Sequence, residues 1–186
     1  MDRTEVRIAG FGGQGVILAG IVLGNAAAIH EGKKAVQTQS YGAETRGGAA
    51  RSEVVISDEK IDYPKVISAD ITITMSQESF DRYGTNIETG SALFVDADLV
   101  TNIPDRVGGT IHRVPATKLA AEEFKKTLVA NMIMLGAVAA VTNIVKLESL
   151  KASVGEVAPK ASLDLNLQAL ERGYAWARTN LVTNVS

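Results

Sequence analysis

A three-layer α/β/α domain built on a largely parallel sheet is the fold this sequence predicts, and three observations predict it. Short β-prone runs alternate with helical runs, the order that builds layered α/β domains. The first strand and first helix are joined by a glycine-rich turn inside IAGFGGQGV, residues 8–16. The composition, 46% hydrophobic and 22% charged over 186 residues, is that of one globular domain spanning residues 1–186. A chain of that length buries roughly two-thirds of its extended surface.

Residues 5–9 form the first predicted strand. Gly10, Gly12 and Gly15 then match G-x-G-x-x-G, and Gly13 adds a fourth glycine. Such a turn is tight, tolerates positive φ and lets a ligand approach the backbone, giving a Rossmann-like start. The helix expected over residues 15–31 points its first N–H groups at whatever occupies the turn. A phosphate, a carboxylate or a partner's backbone would suit it, and the motif by itself does not choose. Gly32 is placed as the C-cap. Residues 35–38 read as a second, short strand. Dinucleotide binding asks for an acidic residue about 20 positions beyond the glycines. Val36, Gln37, Thr38, Gln39 and Ser40 stand there, none is acidic, and the first arginine is Arg46. NAD binding is therefore the weaker reading.

The second informative stretch is QSYGAETRGGAARSEVVIS, residues 39–57. Tyr41, Glu44, Arg46 and Arg51 surround Gly42, Gly47 and Gly48 with almost no apolar anchor. A loop this polar is either a solvated surface loop or part of a site. Arg46 can grip a carboxylate or phosphate in a bidentate fork, and Glu44 can orient it. Both glycine-rich loops are expected at the carboxyl ends of their strands, the edge where open α/β sheets bind ligands.

The remainder reads as scaffold. Residues 51–57 alternate as a strand, with a turn and a second short strand over 58–64, so that residues 51–61 supply a hairpin and the sheet becomes mixed. Residues 71–75 and 93–95 are buried strands, and 110–114 is the last strand. Helices are expected over 77–83, 117–125, 147–154 and 160–181, with 182–186 frayed. Asp96 and Asp98 follow a strand and read as turn formers rather than cation ligands. Residues 127–145 carry no charge. Their small residues, Asn131 and Gly136 favour a buried core helix over a membrane span or a partner-facing helix.

Several function classes are excluded or weakened. The net charge is −2 and aromatics make up 5%, so nucleic acid is not an expected partner. The chain has no cysteine, hence no disulfide and no thiolate for a nucleophile, a zinc ion or an iron–sulfur cluster. His30 and His112 are far apart and read as partly exposed surface residues, so no metal site is expected. Residues 1–5 are charged and the next apolar run is broken by glycine, so no signal peptide is expected and a cytoplasmic location is.

Taken together, GFGGQGV, then SYGAETRGG about 25 residues later, then RSEVVISDEKIDYP, resemble the gamma subunits of the 2-oxoacid:ferredoxin oxidoreductases. The resemblance continues through ADITITMSQESFDRY, ALFVDADLV and NMIMLGAVAA, nearly the whole chain. The second loop is similar to the 2-oxoglutarate type. Pyruvate and branched-chain relatives tend to carry paired arginines and end in Arg-Gly-Ala-Pro, where this chain has Thr45, Arg46, Gly47, Gly48 and Ala49. Arylpyruvate relatives usually lack the Tyr-Gly-x-Glu kept here as Tyr41, Gly42 and Glu44.

The resemblance implies a subunit, inactive alone, of a complex that oxidatively decarboxylates a 2-oxoacid and transfers the acyl group to coenzyme A. It implies thiamine diphosphate with magnesium, held by alpha and beta subunits. It also implies iron–sulfur clusters in beta and in a ferredoxin-like delta subunit, and electrons passed to ferredoxin. This chain would hold no cofactor alone and carry no catalytic residue. It would pack on alpha and shape the coenzyme A side of the active site through Gly12, Gly13, Gln14, Gly15, Tyr41, Gly42, Glu44, Arg46 and Gly47. Two other classes compete: a pyruvate- or arylpyruvate-type sibling, and a free-standing nucleotide- or flavin-binding enzyme. A partner-binding subunit exposes an apolar patch, so self-association of the isolated chain is expected under the first reading.

Overall fold

In the computed structural model, which describes residues 3–41, 49–105 and 107–182, six strands form one sheet. They are β1 (Thr4–Phe11), β2 (Lys34–Tyr41), β3 (Ala49–Ser57), β4 (Ile71–Thr74), β5 (Ala92–Asp96) and β6 (Thr110–Val114). Their order is β2-β3-β1-β4-β5-β6. β3 runs antiparallel to both neighbours, while β1, β4, β5 and β6 pair in parallel. Six helices accompany them: α1 (Val16–Asn25), α2 (Gln77–Tyr83), α3 (Ala116–Phe124), α4 (Ala130–Thr142), α5 (Leu147–Val157) and α6 (Leu163–Ala177).

The three layers are unequal. Val6, Ile8, Val54, Ile56, Ile71, Ile73 and Phe94 point to one face, where they share a core with α1, α3, α4, α5 and α6. The opposite face carries a small cluster of Phe80, Leu93, Val95 and Val100, under the seven-residue α2. The uncharged run becomes a 3₁₀ turn, Thr127–Val129, followed by α4, which is buried from Ala130 to Ala140. A helix apolar on all sides has to be enclosed. Met132, Ile133 and Leu135, all fully buried, each contribute roughly 1.5–3 kcal/mol. Among the described residues no helix is long and apolar enough to cross a membrane. α6 packs directly on α4, because Gly173 brings its backbone against the Ile133 carbonyl and Gly136 does the same toward Leu170.

Several expected boundaries move. α1 continues through a π turn, Ala26–His30, and stops at Gly32, whose φ of +68° lets the Lys33 N–H reach back to the Ala27 carbonyl. β2 is twice the expected length. The hairpin is formed by β2 and β3, and residues 58–64 contain no strand. Side chains at the start of β1 tie down the end of that segment and the residues just after it. Arg3 donates to the carbonyls of Tyr63 and Lys65, and Glu5 accepts from the N–H groups of Ile67 and Ser68. Backbone groups satisfied in this way have no need of a ladder. The final helix is α6 between a 3₁₀ turn, Lys160–Ser162, and a π turn, Arg178–Val182. Val182 is therefore part of that turn, and residues 183–186 lie outside the described residues.

Candidate functional site at the carboxyl edge of the sheet

Because β3 alone is reversed, β1 and β2 point the same way. Phe11 pairs with Ala49 and Tyr41 with Ala50, so both loops leave from one edge. The structure thus brings Gly12, Gly13, Gln14 and Gly15 to the same edge as Tyr41, two strands or roughly 10 Å away. Gly42, Glu44, Arg46 and Gly47 lie outside the described residues.

The glycine turn is tied down from within. Gly15 sits at the N-cap of α1 in a left-handed conformation, φ +72°, and Gly13 has φ +98°. The Gln14 side chain bridges the two strand ends: its Oε1 accepts from the Phe11 N–H at 2.6 Å and its Nε2 donates to the Met75 carbonyl at 2.7 Å. A Cβ on Gly10 would lie 2.4 Å from that Oε1, and one on Gly15 would lie 2.3 Å from Nδ2 of Asn131. Asn131, buried on α4, donates from the same nitrogen to the Gly15 carbonyl at 2.9 Å. Gly10 and Gly15 are therefore required for packing against Gln14 and Asn131. A Cβ on Gly13, by contrast, would face open space.

The geometry also bears on nucleotide binding. β1 and β4 are adjacent, and the helix after β1 packs on one face while the helix after β4 packs on the other. That is the switch point at which an open α/β sheet offers a crevice. Here Gln14 spans the strand ends at that place. The strand on the other side of β1 is antiparallel, and β2, which ends in Tyr41, carries no acidic residue to hold a ribose. Both features count against a dinucleotide site.

A cleft of about 250 Å³ remains beside the turn, lined by Gly13, Gln14, Met75, Leu99, Thr117 and Leu128 among others. A second, of about 170 Å³, lies across Leu128 and reaches Gly15 and Asn131. The rim is apolar: Phe11, Leu99 and Leu128 are exposed, Leu128 by 62%, and Tyr41 by 65%. Exposed apolar side chains gathered around one edge mark a surface meant to be covered.

The aspartates after β5 are structural. Oδ2 of Asp96 accepts from the Thr117 N–H at 3.1 Å and its hydroxyl at 2.6 Å, and Oδ2 of Asp98 accepts from the Lys118 N–H. They cap the start of α3. Burial pushes the Asp96 carboxyl up, against the hydrogen bonds from Thr117 and from the Asp98 N–H that hold it down. His112 is half-buried and stacks on Phe94 with ring centres 4.6 Å apart, and burial lowers its pKa. His30 Nε2 lies 3.3 Å from a Glu156 carboxylate oxygen. Among the described residues no group of three His, Cys, Asp or Glu side chains is placed to hold a metal.

A mixed α/β chain whose strand ends are bridged by Gln14 and whose carboxyl-edge rim is apolar offers a surface suited to a partner and lacks the described features of a dinucleotide cradle. The chain belongs to the pyruvate ferredoxin/flavodoxin oxidoreductase family, whose model matches residues 5–176. It is 50% identical to the 2-oxoglutarate synthase subunit KorC of Methanocaldococcus jannaschii, over 95% of both chains. The crystal structure of a keto/oxoacid ferredoxin oxidoreductase gamma subunit from Geobacter sulfurreducens matches with a TM-score of 0.83 at 38% identity, covering 95% of this chain and 99% of that one. The 2-oxoglutarate:ferredoxin oxidoreductase of Magnetococcus marinus, solved with 2-oxoglutarate, coenzyme A and succinyl-CoA bound, matches with a TM-score of 0.84 at 27% identity. There the match covers 96% of this chain and 32% of that longer one.

Proposed function

We propose that this chain is the gamma-type subunit of a 2-oxoglutarate:ferredoxin oxidoreductase. The complex converts 2-oxoglutarate, coenzyme A and oxidised ferredoxin into succinyl-CoA, carbon dioxide and reduced ferredoxin. The observation that carries this reading is the 50% identity to a 2-oxoglutarate synthase subunit over 95% of both chains. The carboxyl edge of the sheet supports a partner-facing, non-catalytic role, because its rim is apolar and its crevice is spanned by Gln14. With no cysteine, the chain offers no thiolate to a cluster. Iron–sulfur clusters and magnesium-bound thiamine diphosphate are assigned to the alpha, beta and delta subunits. Gly12, Gly13, Gln14, Gly15 and Tyr41 form the described part of the face toward alpha and coenzyme A. Gly42, Glu44, Arg46 and Gly47 are assigned to the same face from sequence, with Arg46 meeting an anionic group. The complex is placed in the cytoplasm.

Anaerobic purification of the tagged chain from its native cells, with a viologen-reduction assay over a panel of 2-oxoacids, tests the reading. Co-purification of thiamine- and cluster-bearing partners, with activity dependent on 2-oxoglutarate and coenzyme A, is expected. Leu128→Asp should cut partner recovery about tenfold or more, since an apolar anchor in an interface is commonly worth over 1.4 kcal/mol. Recovery of the chain alone with a bound nucleotide or flavin refutes the proposal.

A further inference from the structure

On the face of the sheet opposite the main core α2 packs on β1 and β4, and beside it lies an unusual charge arrangement in which Arg7 and Glu53 are largely buried, Arg51 is partly exposed and Arg82 is exposed. Tyr83, the last residue of α2, is ringed by three arginines from three elements. The guanidinium carbons of Arg7, Arg82 and Arg51 lie 5.3, 5.4 and 5.5 Å from its ring centre. Each distance is within cation–π reach. Arg51 also donates to the Tyr83 hydroxyl at 3.4 Å. One carboxylate faces them: Glu53 Oε1 is 2.8 Å from Arg7 Nε and 3.7 Å from Arg51 Nε. Among the described residues Arg82 has no ion-pair partner, Glu78 one turn earlier included, and Asp81 is turned to Gln77.

Three cations drawn onto one ring and matched by a single carboxylate form a positive patch. Register places Thr38 opposite Glu53 and Ser40 opposite Arg51, so β2 flanks the patch with hydroxyls on the same face. Neither cleft at the carboxyl edge reaches these residues. A small anion would gain little enclosure here, whereas an extended chain could set carboxylates against the exposed Arg82 and the partly exposed Arg51, with Arg7 held behind them by Glu53. We propose that this face docks an acidic segment of a partner subunit of the complex, separate from the apolar edge around Leu128. The proposal rests on the subunit reading above.

The test uses the co-expressed complex, tagged on a partner subunit and immobilised. Release of this chain is followed as sodium chloride is raised from about 50 mM to about 1 M, a range over which screening becomes nearly complete. Wild type should be retained at low salt and released progressively. Arg51→Gln combined with Arg82→Glu should bind at least about tenfold more weakly at low salt and show a shallower salt dependence, while Arg82→Lys stays near wild type. If the double variant melts early by circular dichroism, Arg82→Glu alone makes the same comparison, because that side chain is exposed. Identical release of variant and wild type overturns the docking proposal and leaves the subunit reading standing. Failure of wild type itself to be retained overturns both. Unchanged release, combined with loss of a thermal protection that inorganic phosphate gives wild type, shows a small-anion site and also overturns it.

Discussion

Substituting Gly15 tests whether the glycine turn is held by packing from within the chain or is open for a ligand. At φ +72° an alanine meets the left-handed penalty of roughly 1–2 kcal/mol. Its Cβ would also stand 2.3 Å from Asn131 Nδ2. The amide must retreat by about 1 Å to reach ordinary contact, which breaks its bond to the Gly15 carbonyl, a loss of about 1 kcal/mol. Gly15→Ala should therefore destabilise by about 2–4 kcal/mol. With a urea m-value of about 1–3 kcal/mol/M, the midpoint falls by about 1 M or more. Asn131→Ala removes both the obstacle and the hydrogen bond, so the double variant should be more stable than the summed single effects imply, by about 1 kcal/mol. A Gly15→Ala protein within about 0.5 kcal/mol of wild type, or strict additivity of the two changes, would refute the account.

Two further outcomes are expected. Gly173→Ala gains about 1 kcal/mol of helix propensity, but its Cβ would lie 1.9 Å from the Ile133 backbone oxygen, forcing α6 away from α4. A net loss of about 2 kcal/mol is expected, seen as a melting temperature lower by about 5 °C. Glu31 caps the start of α5 by accepting from the Lys146 N–H at 2.6 Å. Burial pulls its carboxyl up, but bonds from Lys146 and Ser149 and the nearby Lys33 ammonium leave it below the ordinary glutamate range. A lowered carboxyl contributes stability above its unfolded pKa, and the contribution is lost as pH falls through the folded value. Glu31→Gln should therefore cost about 1 kcal/mol at pH 7, and the difference should shrink in urea titrations below about pH 4.

Elements fixed by local chemistry were legible. α2 falls on residues 77–83 because Ser76 and Ser79 form a reciprocal capping box, visible in the chain as a serine pair three apart. The uncharged run read as a buried helix over a membrane span or a partner-facing helix, and α4 is buried from Ala130 to Ala140. The hairpin was misplaced because β2 pairs with β3 across residues 42–48, a closure that local alternation does not encode. The alternation in 51–57 was read correctly as a strand, but nothing local says which partner it takes. Asn131 was read as one more residue of the core helix. Its bond to Gly15 spans 116 positions, and the only signal was an amide within an otherwise apolar helix. Gln14 was placed at the site, yet its part in closing the crevice depends on β4 lying beside β1.

The reversal of β3 has a consequence for how this chain tolerates change. A parallel β3 would need a crossover of a dozen or more residues, with a helix laid across the sheet, to return the chain to the same edge. The hairpin makes that return directly, so the connection over 42–48 is bounded by two strands whose register is set by their own ladder. Residues can be exchanged, added or removed in that connection without re-threading the core.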